Sequence, residues 1–444
     1  MRLDVPGPDP LLLATFRFAR DPYSYFKDCE RRFGPLFQSW LAGQRIVLTG
    51  DLEQVRTIFA ADHETIGSFN PGHLVPLLGA GSLILLDGAR HQRERRLLAP
   101  ALHGARMRSY ARIIRDSALQ RAAAWRVGEP LIMQETTQAI SLAVIIKAVF
   151  GVLEPARVAA FEASMAATMA AVWPLAILIR PLQRDLGPLT PWRRFMRSRE
   201  ASDELVRREI RERRRDPGAG DDILSLLLGA RYEDGEGMRD DQIRDELITL
   251  LAAGHETTAI ALAWAMYWLH RHPDALARLR AELATLGDDP DLEAVARLPY
   301  LEAVCHETLR LYPILPLAPR TLRRPLTLGE HTLPAGTHVG ACTVLVHQNP
   351  DLYPEPDSFR PERWLARKFA PHEFTPFGGG VRRCIGAAFA LYEMKQALAA
   401  LLPDHHLRLM EPREVRPERR NITLGPRGGV RFVLTERTGR ARAL

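Results

Sequence analysis

The stretch from Asp240 to His272 constrains the fold of this chain more than any other feature. It reads as one unusually long helix, opened by the carboxylates of Asp240 and Asp241 and stopped by Pro273. Carboxylates suit a helix start because the unpaired N–H groups there carry partial positive charge, and proline cannot continue the ladder. The helix is nearly apolar on every side, and such a helix needs a protein interior around it. This predicts a large helical body with Leu250, Ala253, Ala259 and Trp264 crossing its middle. Only Gly254-His255-Glu256-Thr257-Thr258 interrupts the apolar character, as a polar kink in a buried helix would, or as a chemical site would.

The rest of the chain supplies enough material for that body. Of 444 residues, 46% are hydrophobic and 25% charged, an ordinary globular mixture. Length alone suggests two or three domains, but no repeat, low-complexity segment or linker separates them, so residues 1–444 read as a single domain. Helical spacing dominates from Glu94 to Leu286, punctuated at Gly128, Pro155, Pro174, Pro191 and Asp216 to Gly220. Near the N-terminus Pro35 to Thr49 reads as a hairpin around Gly43, and Leu52 to Ala60 as a helix. Strand-like pieces return at Leu326 to Leu333 and at Asn421 to Leu434. Between them the Pro-rich span Gln348 to Phe377 is irregular for longer than compact domains usually tolerate, which points to a functional loop. The expected class is mainly α with smaller β-sheets.

Four scattered cysteines, Cys29, Cys305, Cys342 and Cys384, form neither a disulfide framework nor a CxxC metal site, and a reducing, cytoplasmic setting is expected. The run Leu11 to Ala14, followed by Arg17 and Arg20, reads as neither signal peptide nor anchor. Trp173 to Leu182 is too short to span a bilayer and reads as a loop or short helix near a pocket. The net charge of +7 comes from arginines dispersed among acids, with no nucleic-acid motif. Solvated helix faces explain it better than nucleic acid, with a local basic surface for an acidic protein partner as the alternative.

Phe377-Gly378-Gly379-Gly380-Val381-Arg382-Arg383-Cys384-Ile385-Gly386 sets one cysteine in a glycine-rich loop just before an apolar helical segment, Ala387 to Leu402. Glycines let backbone approach a flat group and turn N–H donors toward a sulfur, while the helix start favours a thiolate. A buried structural cysteine is the ordinary alternative for a lone residue. The whole pattern, however, resembles the haem-binding signature of the cytochrome P450 family, F-x-x-G-x-R-x-C-x-G, at every fixed position. A chance match is expected on the order of once in ten thousand sequences of this composition.

Further motifs resemble the family in the order it requires. Glu307-Thr308-Leu309-Arg310 matches E-x-x-R, two charges one turn apart that can pair. Phe359-Arg360-Pro361-Glu362-Arg363-Trp364 looks like the P-E-R-W segment, and Arg363 is expected to join Glu307 and Arg310 in a structural triad supporting haem incorporation. Ala253-Gly254-His255-Glu256-Thr257-Thr258 is similar to the oxygen-activation motif. By that resemblance Gly254 leaves room for dioxygen, Thr257 opens the helix locally through its hydroxyl, and Glu256 relays protons. His91 and Arg95 resemble the H-x-x-x-R of the helix flanking the haem, and they are expected with Arg320 and Arg382 as propionate partners. Phe377, Gly378 and Gly386 complete the implied cofactor contacts. Arg93, Arg96 and Arg383 either receive an acidic electron donor or are plain surface arginines.

The resemblance implies a triangular helical body, with haem between the long central helix and the helix after Cys384, the iron ligand. It implies a soluble monooxygenase that uses haem b, dioxygen and electrons from a separate ferredoxin or flavodoxin with its reductase, since the chain shows no Rossmann fingerprint or Fe–S cysteine cluster. The rival readings are a peroxygenase-like or dehydratase haem enzyme, which usually departs from the Glu-Thr pair, a haem-binding carrier or sensor, and a helical interaction protein without haem. Leu250, Ala253, Leu315, Leu317 and Ile422 are the expected pocket residues, within a lining drawn from Ser68 to Leu78, Met165 to Leu178, Ile314 to Leu317 and Ile422-Thr423. That lining is mostly aliphatic and suits a fatty acid or terpenoid, although aliphatic residues there could equally be core. The expected state is a monomer with no membrane span.

Overall fold

The computed structural model describes residues 4–8, 11–41, 43–69, 71–104, 106–172, 182–185, 187, 190–216, 220–287, 290–420 and 422–438, without the side chains of residues 11, 12 and 71. The chain divides into two compact units: Met1–Ile66, Tyr110–Ser141 and Glu256–Leu444 form one, and Gly67–Ser109 with Leu142–His255 the other.

The strands are β1 (Leu36–Leu41), β2 (Gln44–Thr49), β3 (Ile66–Gly67), β4 (Pro130–Ile132), β5 (Ala318–Leu322), β6 (Leu326–Leu328), β7 (His331–Leu333), β8 (His338–Ala341), β9 (His405–Leu409), β10 (Pro417–Arg420), β11 (Thr423–Pro426) and β12 (Arg431–Arg437). The helices that carry or support the site are α1 (Gly88–Leu98), α2 (Arg106–Ala122), α3 (Met133–Phe150), α4 (Pro155–Ala171), α5 (Pro191–Arg215), α6 (Asp240–Arg271), α7 (Pro299–Leu311), α8 (Thr343–His347) and α9 (Ala387–Leu401). Pro155, Pro191 and Pro299 each open a helix, where a missing N–H costs nothing and φ is already set. Pro273 stops α6 and also begins the next helix, Pro273–Ala284.

In the first unit the largest sheet has the order β1-β2-β8-β5-β3. The expected hairpin is present, with Leu36 opposite Thr49 and Leu41 opposite Gln44, and Gly43 at φ +74° turns it. β8 runs parallel to β2 and antiparallel to β5. The burial of β8 leaves no alternation to read, and a side chain at Gly340 would press on Leu48. β5 does alternate in burial, but its sequence, APRTL, does not show it as an apolar pattern. Val47, Val339 and Ala341 meet Val55, Ile58 and Phe59 of helix Leu52–Ala60 in one apolar cluster. The strand-like tail is two strands, not one: β11 pairs with β10 and β12 with β9 and β4, the break falling at Gly428, Gly429 and Val430, all at positive φ. β9 and β10 also went unread, because HHLRL offers only two alternating leucines, PERR none, and burial alternates in neither. The span Gln348 to Phe377 is indeed turns and loops, with a single short helix at Arg363–Ala366.

In the second unit α4 packs along α5 through small polar residues. The hydroxyls of Ser164 and Thr168 each lie 2.8 Å from that of Ser202, and Arg157 pairs at 2.5 Å with the buried Glu209. Asp245 on α6 accepts the Gly81 N–H at 2.7 Å, and Thr249 donates to Ser82 at 2.7 Å, tying the Gly79–Ser82 turn to the helix.

The prediction for α6 holds in part. Ala259 through Leu269 are all buried, including Trp264, but Leu250 is half-buried and Ala253 exposed. Leu250, Ala253, Gly254 and Thr257 fall at i, i+3, i+4 and i+7, so they share one stripe, on which Ala253 is exposed and the other three are half-buried. By length and composition α6 could cross a membrane, yet 67% of its most apolar window is buried within the protein.

Candidate active site

The loop before α9 is shaped by what glycine allows. Gly378 and Gly380 sit at φ +62° and +64°, and a side chain on Gly379 or Gly380 would run into the Phe59 ring or carbonyl. Two bonds close the loop: the Cys384 N–H donates to the Phe377 carbonyl at 2.9 Å, and the Arg383 N–H to the Gly380 carbonyl at 3.0 Å. Cys29, Cys305 and Cys342 are buried, whereas Cys384 is exposed. Burial pushes the thiols of Cys305 and Cys342 up, the former to about 12, which leaves both inert. Beyond Gly386, at the start of α9, a side chain would meet open space.

Arg320 on β5 is 8% exposed, and its Nε has no hydrogen-bond partner. Its Nη atoms reach only carbonyls, those of Pro319 at 2.8 Å and Arg382 at 3.4 Å. Burial and then the neighbouring Arg382 guanidinium press its pKa down to about 10. Among the described residues no carboxylate pairs with Arg320. A buried cation with an orphaned donor beside a second cation fits an anionic group from outside the chain, and a haem propionate satisfies it. The exposed sulfur and the bare face at Gly386 fit the remainder of that cofactor.

Glu307 and Arg310 are completely buried on α7 and form a two-bond pair at 2.9 and 2.8 Å. Arg363 joins Glu307 at 3.0 Å, as expected. Two further donors on the same carboxylate were not read from sequence, the Trp364 indole N–H at 2.9 Å and the Arg360 backbone N–H at 2.9 Å. Arg310 also donates to the carbonyls of His347, Pro356 and Ser358, so the triad fastens the long loop as well. His347, likewise unread, lies between the Arg310 carbonyl and the Thr375 N–H.

On α6, Glu256 and Thr257 are half-buried. Burial raises the Glu256 carboxyl above its usual range, opposed by Arg420. The helix runs unbroken through Gly254 to Thr258, so the expected local opening at Thr257 is not part of this backbone. A carbonyl has two lone pairs and can take a side-chain donor without giving up its ladder bond, as Ala259 does with the Thr137 hydroxyl at 2.8 Å. The space beside Gly254 is also narrower than expected: a β-carbon there would lie 3.0 Å from Ile145, so in this unit the glycine lets α3 approach α6.

In the second unit His91 is buried and Arg95 half-buried on α1. Between them the Glu94 carboxylate accepts the Tyr232 hydroxyl at 2.8 Å and the Gln242 amide at 3.2 Å. Arg93 pairs with Asp234 at 2.6 Å and lies 3.7 Å over the Tyr232 ring, and Arg96 pairs with Glu233 at 2.6 Å. These two arginines have acidic partners in their own chain, but both pairs are solvent-exposed and leave them on the surface, and Arg383 is exposed as well.

Of the expected pocket residues, Leu315 and Ile422 are 40% and 57% exposed, and the Leu424 N–H to Ile314 carbonyl bond of 2.9 Å joins their segments. Leu317 is instead buried against Gly340, and Met165 is buried on α4; both are core. Residues 70 and 173–178 of the expected lining lie outside the described residues.

Residues 4–430 match the family described as cytochrome P450. The chain belongs to the cytochrome P450 family. A Mycobacterium tuberculosis protein carrying the name cytochrome P450 137 is 36% identical over 405 residues, 90% of this chain and 83% of that one. A Mycobacterium bovis protein carrying the name cytochrome P450 138 is 35% identical over 416 residues, 92% of this chain and 90% of that one. Among solved structures, the retinoic-acid-bound cyanobacterial CYP120A1 is similar with a TM-score of 0.85 at 26% identity, covering 98% of this chain and 100% of that one. The haem domain of cytochrome P450DA is similar with a TM-score of 0.85 at 25% identity, over 99% of both chains. This cytochrome P450 therefore has the family fold, mainly α with small sheets, and is a haem monooxygenase. Its cofactor is a haem held through a thiolate, and its reaction takes dioxygen, external electrons from redox partners and a small-molecule substrate.

Proposed function

We propose that this cytochrome P450 holds haem b through the Cys384 thiolate and inserts one oxygen atom of dioxygen into an apolar, flexible small molecule, a fatty acid or a terpenoid. The observation that carries the reading is the occurrence of an exposed cysteine on a glycine-built loop together with the buried guanidinium of Arg320, whose Nε has no partner and which no carboxylate among the described residues neutralises, beside Arg382. Arg320 and Arg382 hold propionates, with His91 and Arg95 as further partners. Phe377, Gly378 and Gly386 form the backbone platform. When bound, the haem supplies the iron at which dioxygen is activated. Glu256 serves as the proton source, its raised carboxyl keeping a share of the protonated form closer to neutral pH, and Thr257 orients the proton donor one position along α6. Gly254 keeps the side of the helix next to Thr257 low, and Glu307, Arg310 and Arg363 keep the loop ready for the cofactor.

Leu250 and Ala253 on the α6 stripe, with Leu315 and Ile422, offer aliphatic surface, so the substrate is recognised by apolar contact. The retinoic acid bound by one structural neighbour is a molecule of this kind. Residues 1–444 act as one domain, as a cytoplasmic monomer supplied with electrons by a ferredoxin or flavodoxin and its reductase. Four cysteines without disulfides suit that compartment. Titration of the ferric holoenzyme with fatty acids, terpenoids, steroids and polyketides, read by the Soret band, tests the substrate class. A low- to high-spin shift confined to the first two series is expected; a shift with polar metabolites alone would overturn the apolar reading.

A further inference from the structure

One fully buried imidazole has no part in the reaction described above. His347 closes α8 and is completely buried. Its Nδ1 lies 3.1 Å from the Arg310 carbonyl at the end of α7, and its Nε2 accepts the Thr375 N–H at 2.9 Å. An amide N–H can only donate and a carbonyl can only accept, so the ring is the neutral tautomer with its proton on Nδ1. The grip is reciprocal, because the His347 carbonyl accepts from Arg310 Nη1 at 3.0 Å. Phe374 stacks on the ring, 5.4 Å between centroids and 23° between planes.

The Thr375 side of this contact leads into the cysteine loop. The Thr375 carbonyl accepts the Gly378 N–H at 3.0 Å and the Thr343 hydroxyl at 3.4 Å, and Phe377, two residues on, takes the Cys384 N–H at 2.9 Å. Hydrogen bonds and short lengths of backbone thus join Glu307, Arg310, His347, Thr375 and Cys384 without a gap. We propose that His347 is a positioning residue for the thiolate loop, a neutral two-sided pin that couples the buried Glu307–Arg310 pair to the point where the loop begins. The proposal rests on Cys384 being the iron ligand.

Three variants separate this role from core packing. His347→Phe keeps the ring stack on Phe374 and loses both bonds, His347→Leu fills less volume and loses both, and His347→Gln retains a donor and an acceptor. Two readouts are taken on the folded holoenzyme: the Soret band of the reduced protein under carbon monoxide, which reports thiolate against neutral ligation, and hydrogen exchange at the amides of Thr375 to Gly380. In the Phe and Leu variants part of the thiolate-type band is expected to pass to the neutral-ligand form, with Thr375 exchange faster by about tenfold or more. Gln is expected to restore both in part. Phe and Leu variants with the wild-type band and a protected Thr375 amide overturn the proposal. Should neither variant fold, wild-type exchange decides: a Thr375 amide that exchanges as fast as exposed loop amides overturns the pin, and one as slow as the α7 core supports it. A Cys384→Ser protein that kept the thiolate-type band would instead sink the ligand assignment on which the pin depends.

Discussion

At the residue scale two buried carboxylates behave in opposite ways because one is surrounded by donors and the other is not. Glu307 receives five N–H groups: two from Arg310 are joined by one each from Arg363, Trp364 and the Arg360 backbone. Removing that charge leaves Arg310 buried and unmatched, which costs about 3–5 kcal/mol. Glu307→Gln should therefore lower the thermal midpoint and the haem-to-protein ratio together; a variant that kept full haem content would contradict the structural role. Glu393 on α9 has the reverse surroundings. It is 1% exposed, one of its oxygens lacks a partner, and burial lifts its carboxyl to about 8 against only a weak pull from Ser141. The folded state therefore binds this proton more tightly than the unfolded chain does. Its contribution to stability is complete below the ordinary carboxylate range and is lost as pH rises toward about 8. Glu393→Gln should flatten that limb and gain on the order of a few kcal/mol over the wild type at pH 8. Denaturant unfolding across pH 5–9, on the order of one point per unit, checks the sign.

At the element scale, the motifs legible in the sequence are those in which a function is packed into a few consecutive residues. The cysteine loop, E-x-x-R and the Arg363 segment each declare themselves within a single turn or loop, and their geometry follows from local rules. The unread parts depend on distant partners. Trp364 and Glu307 are 57 residues apart, and the His347 to Thr375 bond links segments 28 apart. Strands β5 and β8 are defined by a ladder that neither sequence shows alone. The long helix was legible in its bounds, but not in the half-burial of Leu250 and the exposure of Ala253, since exposure is decided by what packs against it. The loop itself makes a sharp prediction. Gly380 combines φ +64° with a β-carbon position blocked by the Phe59 carbonyl. Gly380→Ala should cost about 1–3 kcal/mol and weaken haem retention, measured as the rate of haem transfer to an acceptor globin. Gly386→Ala, where a β-carbon meets no protein atom, should retain the fold, so its haem loss reports on the cofactor face alone.

At the scale of the whole molecule, a net charge of +7 says less about partners than the pairing of individual arginines does. Arg93 and Arg96 are matched to Asp234 and Glu233, while Arg383, beside Cys384, is exposed. With an acidic ferredoxin as donor, Arg383→Glu should slow haem reduction several-fold at low salt and much less at high salt, because such steering is screened. Equal slowing at both salts would place the donor elsewhere. The account as a whole depends on the sulfur of Cys384, and the most direct test is the absorption spectrum of the reduced protein under carbon monoxide, compared between wild type and Cys384→Ser. The account predicts a thiolate-type Soret band in the wild type that is absent from the variant. A wild type without that band, or a variant that retains it, would contradict the claim that Cys384 binds the iron.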